Sequence, residues 1–247
     1  MEKIVYLLWG DGSPEGGETL RDALLAETVP VITGCGGHCT AVSVHDVDAA
    51  EAPSPVPVPE GEDPHIAAVS VWLNSYDDRQ GCDEAVAALG LGFGAYLVTE
   101  SLVEDYGTTP HAEPRTWPAG TRSPGVLTVS LIHRPEGLAY PSWIARWHGV
   151  QSPLSASLQP RCRYVRNEVV HPLTGSSPPI DGIVEEAWPS AAHVADPMLF
   201  FSAESPEELE RNVTAMLDSV NACLDLARLR NTTMSEYLLT DPSPTGR

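Results

Sequence analysis

The sequence predicts an α+β protein built from two ferredoxin-like β-α-β-β-α-β units. Three observations carry that expectation. Hydrophobic periodicity gives the order strand, helix, strand, strand, helix, strand, and then the same order again. The stretch Val69-Ser70-Val71-Trp72-Leu73-Asn74-Ser75 lines up with Val184-Glu185-Glu186-Ala187-Trp188-Pro189-Ser190. A segment rich in proline, 105–124, stands between the two copies. The expected organisation is a first repeat over 1–104, a Pro-rich linker over 105–124 and a second repeat over 125–247.

In the first half the expected strands are Lys3 to Trp9, Cys39 to Asp46, Ile66 to Asn74 and Ala95 to Val103, with helices near Glu18 to Val29 and Asp77 to Leu89. In the second half they are Val126 to His133, Arg163 to Val170, Gly182 to Trp188 and Thr233 to Leu239, with helices near Pro141 to Leu158 and Pro206 to Leu229. Ser205-Pro206-Glu207-Glu208 is a helix start: a Ser cap, Pro in the first turn and acids near the positive end of the dipole. Val47 to Pro64 carries Pro53, Pro55, Pro57 and Pro59, and proline both lacks a donor and restricts its predecessor, so this stretch reads as a stiff solvated loop. In the linker, Trp117 is expected to pack over a barrel end.

Composition narrows the function classes. Fourteen Lys and Arg against thirty-four Asp and Glu give a formal charge of -20, which argues against a nucleic-acid partner, because phosphate binding rests on basic side chains. The same charge repels an anionic membrane surface, and no apolar run reaches the roughly 20 residues that span a bilayer. The chain opens on a strand-like run in place of a signal segment, and its five scattered cysteines suggest no disulfide framework, so the expected location is cytoplasmic. Cys35-Gly36-Gly37-His38-Cys39 offers soft ligands, yet no second cluster completes a four-ligand zinc site. No Walker loop, dinucleotide fingerprint or Gly-x-Ser-x-Gly elbow is present.

The stretches Arg146-Trp147-His148-Gly149-Val150-Gln151-Ser152-Pro153-Leu154 and Arg163-Tyr164-Val165-Arg166-Asn167-Glu168-Val169 give a resemblance. They resemble the EthD-like branch of the dimeric α+β barrel proteins, whose helix ends in His-x-Pro-Leu and whose strand reads Tyr-Val-x-Asn-His. Gln151 and Glu168 stand where that family has histidines. The resemblance implies that the two sheets pack face to face as a pseudo-symmetric α+β barrel with helices outside, and it leaves a homodimer open. It implies a small apolar or aromatic, polyketide-like compound held in the barrel. It also places Glu185 inside.

Parity along strands then sorts the candidate residues. Taking Val165 and Val169, and Leu127, Val129 and Leu131, as the helix-facing sets leaves Tyr164, Arg166 and Glu168, with Thr128 and Ser130, on the barrel side. In the first repeat His45 takes the position matching Glu168, so a histidine and a carboxylate would face one cavity. The catalytic candidates are therefore His45, Glu168 and Glu185, and the binding candidates Tyr164, Arg166, Trp72, Ser70, Ser130 and Gln151. The alternatives are that His45 ends its strand in solvent and that Glu168 pairs with Arg166 or Arg163. Gln151 keeps hydrogen bonding but loses proton transfer. The leading function is a cofactor-independent acid/base enzyme, of lyase or cyclase/dehydratase type. The alternatives are a non-catalytic small-molecule binding protein or, with His171, His193 or His148 as axial ligand, a heme enzyme of the same barrel type. No metal is expected.

Overall fold

The computed structural model describes residues 1–241; the final residues of the expected second repeat, 242–247, lie outside them. The first half contains β1 (Glu2–Trp9), α1 (Pro14–Ala23), a π turn (Leu24–Thr28), α2 (Val29–Gly34), β2 (His38–Val44), β3 (His65–Leu73), α3 (Gln80–Ala87) and β4 (Gly92–Glu104). The second contains β5 (Val126–Ile132), α4 (Tyr140–Arg146), a π turn (Trp147–Gln151), α5 (Ser152–Leu158), β6 (Arg163–Pro172), β7 (Gly182–Trp188), the short α6 (Ala192–Ala195) and α7 (Pro197–Phe200), α8 (Pro206–Cys223) and β8 (Arg230–Leu238). No described helix is long and apolar enough to cross a membrane.

The strands close one antiparallel barrel in the order β1-β3-β2-β8-β5-β7-β6-β4. Within each half the order is the same, β4-β1-β3-β2 and β8-β5-β7-β6, and the halves join where β2 pairs β8 and β4 pairs β6. Closure leaves no free edge in the sheet. Val5, Leu7, Tyr96 and Val98 of the first half meet Leu127, Val129, Leu131, Ile183 and Met234 of the second inside the barrel. Outside, Ile4, Tyr6, Leu8, Val42 and Val69 pack on Leu20, Leu24 and Ile32 of the helices. The matching outer layer of the second half brings Ile132, Tyr164 and Val184 against Trp143, Trp147 and Cys223.

This arrangement corrects the expected faces of β5 and β6. Val129 and Val165 both lie opposite Glu185, whereas Thr128 and Tyr164 both lie opposite Glu186. Residues directly opposite share a face, and Val129 belongs to the barrel interior. Tyr164, Arg166 and Glu168, with Thr128 and Ser130, therefore face the helices. The physical reason is that both faces of a closed barrel under a helix layer are buried, so an apolar set does not by itself mark the helix side.

Local chemistry explains the helix shapes. The first helix starts earlier than expected because the Ser13 hydroxyl caps it, accepting from Gly16 N. It then continues to Gly34 through the π turn. Pro30 and Pro153 each follow a π turn by two residues. A proline has no N–H and its ring crowds the carbonyl four residues back, and the wider turn relieves that crowding. The last helix stops at Cys223, short of the expected Leu229, where Leu224 turns extended and Asp225 N donates to His133 O at 2.8 Å. Close approach requires Gly17 on α1: a Cβ there would stand 1.8 Å from the His45 carbonyl oxygen.

The proline-rich stretch 47–64 is a strap across one barrel end. Thr233 Oγ1 donates to Ala52 O at 3.1 Å, Ser54 Oγ to Asn231 O at 2.8 Å, and Arg230 pairs with Glu62 through both carboxylate oxygens. At the opposite end the linker folds back, with Trp117 edge-on to Tyr106 at 4.9 Å between ring centroids.

Candidate functional site

The second half holds a cavity of about 200 Å³ between its sheet and its helices. Its apolar wall comes from Trp147 on the π turn, Trp188 on β7, Phe200 on α7, Met216 on α8 and Leu224 and Leu229 beyond it. Trp188 stacks on Phe200 at 4.6 Å and donates through Nε1 to Thr128 Oγ1 at 3.0 Å, which fixes the indole plane.

Gln151 closes the π turn and also lines this cavity. Its amide nitrogen donates to Met216 Sδ at 3.1 Å, while its buried Oε1 has no hydrogen-bond partner. A buried acceptor left without a donor costs about 1–3 kcal/mol. Below it, Ser152 Oγ donates to Trp147 O, so it accepts from Arg166 Nη1 at 3.0 Å and from the Tyr164 hydroxyl at 3.2 Å. Burial, reinforced by Glu186, pushes the Tyr164 pKa up. Its phenol stays protonated near neutral pH.

Arg161 precedes β6 and is 1% exposed. It bonds Ser155 Oγ and Glu186 Oε1, each at 2.9 Å, reaches Glu104, and lies over the Tyr164 ring at 4.0 Å. Burial opposes its charge, but Glu186 and Glu104 outweigh that and raise its pKa. Among the described residues the one carboxylate lining the cavity, Glu186, is thereby tied up in an ion pair. Ser130 lines the same cavity and accepts from Asn231 Nδ2 at 2.7 Å.

Three of the binding candidates, Ser130, Gln151 and Tyr164, thus meet in one place, and Arg166 joins them through Ser152. They meet on the face opposite to the expected one. Glu168 lies further along that face, accepting from the Tyr140 hydroxyl and sitting 3.4 Å from His148 Nε2. The hydrogen bond to Glu168, with burial, raises the Tyr140 pKa to about 12. Burial and Arg166 lower that of His148.

The expected pairing of His45 with Glu168 does not form. His45 lies just past β2 and donates through Nδ1 to Thr233 O at 2.7 Å, beneath the strap. Glu185 is inside the barrel as expected, hydrogen-bonded to Asn167 at 2.9 Å and 3.8 Å from Lys3 Nζ. Burial acts to raise its pKa, but Lys3 and Arg163 overcome it and hold the carboxyl below its ordinary range. Ser70 and Trp72 share a polar cavity with Glu185 at the end of the barrel under the linker. The nine candidates therefore divide among separate places.

Residues missed in the sequence include Glu186, Arg161, Phe200 and Met216. Glu186 carried a signal, since adjacent acids in one strand must face opposite sides. Phe200 carried none, because α7 is a four-residue turn outside the repeated pattern.

Heme requires an axial ligand such as His, Cys, Met or a tyrosinate. Among the described residues no His or Cys lines the helix–sheet cavity, Met216 Sδ accepts from Gln151, and Tyr164 is held as a neutral phenol. His148 faces Glu168, His171 lies against Tyr76, and His193 bonds Ser190 Oγ. At about 200 Å³ the cavity is also below the roughly 300–1,000 Å³ of drug-sized sites. These residues do not fit heme.

No family model matches the chain, and no curated protein matches it. Solved structures do. An anthrone oxidase-like protein is 11% identical with a TM-score of 0.57, the match covering 100% of this chain and 97% of that one. A proposed monooxygenase from Lactobacillus acidophilus NCFM is 9% identical over 98% of this chain and 96% of that one, with a TM-score of 0.48. Chlorite dismutase from Candidatus Nitrospira defluvii is 11% identical over 95% of this chain and 91% of that one, with a TM-score of 0.44. At such identities the likeness is one of fold, and it does not single out the EthD-like branch. By its closed eight-strand sheet and outer helices, the chain has the dimeric α+β barrel fold, shared along its whole length with the anthrone oxidase-like protein.

Proposed function

We propose that this protein binds a small aromatic compound bearing a hydroxyl or amide donor in the helix–sheet cavity of its second half. The observation that carries the reading is Gln151: a buried Oε1 without a partner among the described residues, in a side chain that lines the cavity together with Trp147, Trp188, Phe200 and Met216. Recognition sites of this kind pair an apolar wall with a few fixed polar groups. A cavity of roughly 150 Å³ holds benzene, so about 200 Å³ suits one or two fused rings. With Glu186 paired and Tyr164 neutral, the cavity is better equipped to hold such a compound than to move its protons.

The test is titration with 2-naphthol and with naphthalene. Gln151→Leu is expected to weaken 2-naphthol by roughly 2- to 12-fold, the worth of one neutral hydrogen bond, and to leave naphthalene unweakened. Leu224→Trp fills the cavity and should abolish binding of both. Equal effects of Gln151→Leu on the two ligands would remove the glutamine from the site.

A second reading, a cofactor-independent acid/base enzyme of lyase or cyclase/dehydratase type, is favoured by Tyr164, which lines the cavity with its hydroxyl bonded to Ser152 and the Arg161 guanidinium over its ring. It requires that Tyr164→Phe abolish turnover of a phenolic ketone while leaving its affinity within a few-fold. The anthrone oxidase-like neighbour makes oxidation of such compounds worth including in the same assay.

A further inference from the structure

The strap end of the barrel holds a second cavity, of about 230 Å³, which shares only Val56 and Asn231 with the helix–sheet cavity. Trp9, Leu131 and Ile180 give it apolar walls, and the strap residues Val56 and Val58 close one side. His65 is already satisfied there. Its Nε2 donates to Val129 O at 2.9 Å, which leaves Nδ1 as the acceptor facing Thr232 Oγ1 at 3.4 Å.

One other polar residue of this cavity is buried without a partner, and one more stands exposed at its rim. His133, at the end of β5, is 7% exposed and its Nδ1 has no partner. Arg228 is exposed at the rim, makes no ion pair among the described residues, and donates through Nη2 to Pro179 O over a long 3.5 Å. Its neighbour Arg230 behaves differently, gripping Glu62 with Nε and Nη2 at 2.8 and 2.9 Å. That pair neutralises one of the two acids lining the mouth, leaving Asp63, with Asp181 and Asp225 near His133, as the competing charges. In a chain with 14 basic and 34 acidic residues, this exposed guanidinium at the mouth of an apolar cavity has no carboxylate partner among the described residues and is open to an anion.

We propose that this mouth, formed by Trp9, Leu131, His133, Ile180 and Arg228, is a second ligand site that takes a small organic carboxylate. The apolar body lies against Trp9, Leu131 and Ile180. The carboxylate meets the planar donor fork of Arg228, whose geometry matches it. His133 supplies the further hydrogen bond at the buried side. A single guanidinium against Asp63 favours a monoanion over a phosphate ester.

The experiment is calorimetric titration of the full chain with phenylacetate and its neutral counterpart phenylacetamide, in the wild type and in Arg228→Gln. One-to-one binding of phenylacetate is expected, with the amide weaker by roughly 10- to 100-fold, the span of one charge-assisted hydrogen-bonding contact. Arg228→Gln should erase that preference. The residue lies in the turn before β8 and its loss leaves the core intact, so unchanged thermal unfolding is expected alongside. Leu131→Trp should block both compounds. Saturating 2-naphthol should leave phenylacetate affinity unchanged, which separates this site from the helix–sheet cavity. The proposal is overturned by no saturable phenylacetate binding at millimolar concentration, by equal affinity for acid and amide, by an Arg228→Gln variant that still prefers the acid, or by displacement with 2-naphthol.

Discussion

Replacing Lys3 with methionine is expected to destabilise the protein by about 3–5 kcal/mol, the usual effect of removing one partner from a buried charge network. Lys3 lies on β1 inside the barrel and is 2% exposed. Its ammonium pairs with Glu100, donates to Asn167 Oδ1 at 2.9 Å and lies 3.8 Å from Glu185. Arg163 continues the network, 3.6 Å from Glu185 and 3.0 Å from Glu236, which also accepts from the Tyr106 hydroxyl. Methionine keeps the unbranched apolar stem and fills the space, so the loss reads the charge and not a cavity. Glu185 then faces only Arg163 and Asn167 in a buried layer. Against a typical total stability of about 5–15 kcal/mol, the change is large enough to show directly in urea unfolding. Adding Glu185→Leu should restore part of the loss, because both members of a pair then leave together. A loss below about 1 kcal/mol for Lys3→Met would mean that the layer is solvated and its ions are screened.

Acidification is expected to remove on the order of 3 kcal/mol of stability through His65 alone. Burial lowers the His65 pKa to about 4, with the nearby His45 adding to the effect and the Val129 carbonyl opposing it. The folded-state pKa lies below the ordinary histidine value near 6.5, so the unfolded chain binds the proton first. The stability due to neutral His65 is therefore fully present above about pH 6.5 and is lost as pH falls toward about 4, where the folded state also protonates. His133, whose pKa burial and Arg228 depress, acts in the same direction, and Glu185 adds a loss at lower pH because its carboxyl is held down in the fold. Urea midpoints between pH 7 and 4 measure the slope. His65→Gln, which retains an amide donor for Val129 O, should flatten it by about one proton's worth. An unchanged slope in that variant would place the titration elsewhere.

The positions of the strands were legible because each is a short apolar run between turn residues, and six of the eight overlap their expected ranges almost end to end. Their faces were not. Val126 and Ile132 pack toward the helices while Leu127, Val129 and Leu131 fill the barrel, so β5 is apolar on both sides and alternation carries no direction. That ambiguity reversed Tyr164, Arg166 and Glu168 and paired His45 with the wrong partner. The grouping survived the reversal: Tyr164, Ser130 and Gln151 still converge, because strand residues of one parity move together from one side of the sheet to the other. What stayed hidden depends on contacts between distant segments. Phe200 reaches Trp188 from a short turn, Met216 meets Gln151 across two helices, and the strap of the first half anchors on β8 of the second. Pro30 and Pro153 each follow a π turn, a feature that the hydrophobic pattern does not carry.

The central claim is that the ligand lies between helix and sheet in the second half, not inside the barrel. A crystal soaked with 6-bromo-2-naphthol and measured at the bromine absorption edge tests it directly. The account predicts an anomalous peak in the cavity bounded by Trp147, Trp188 and Met216, with the naphthol oxygen within hydrogen-bonding distance of Gln151 Oε1. A peak confined to the barrel mouth beside Trp9 and His133, or no ordered bromine in the helix–sheet cavity at saturating ligand, would contradict it.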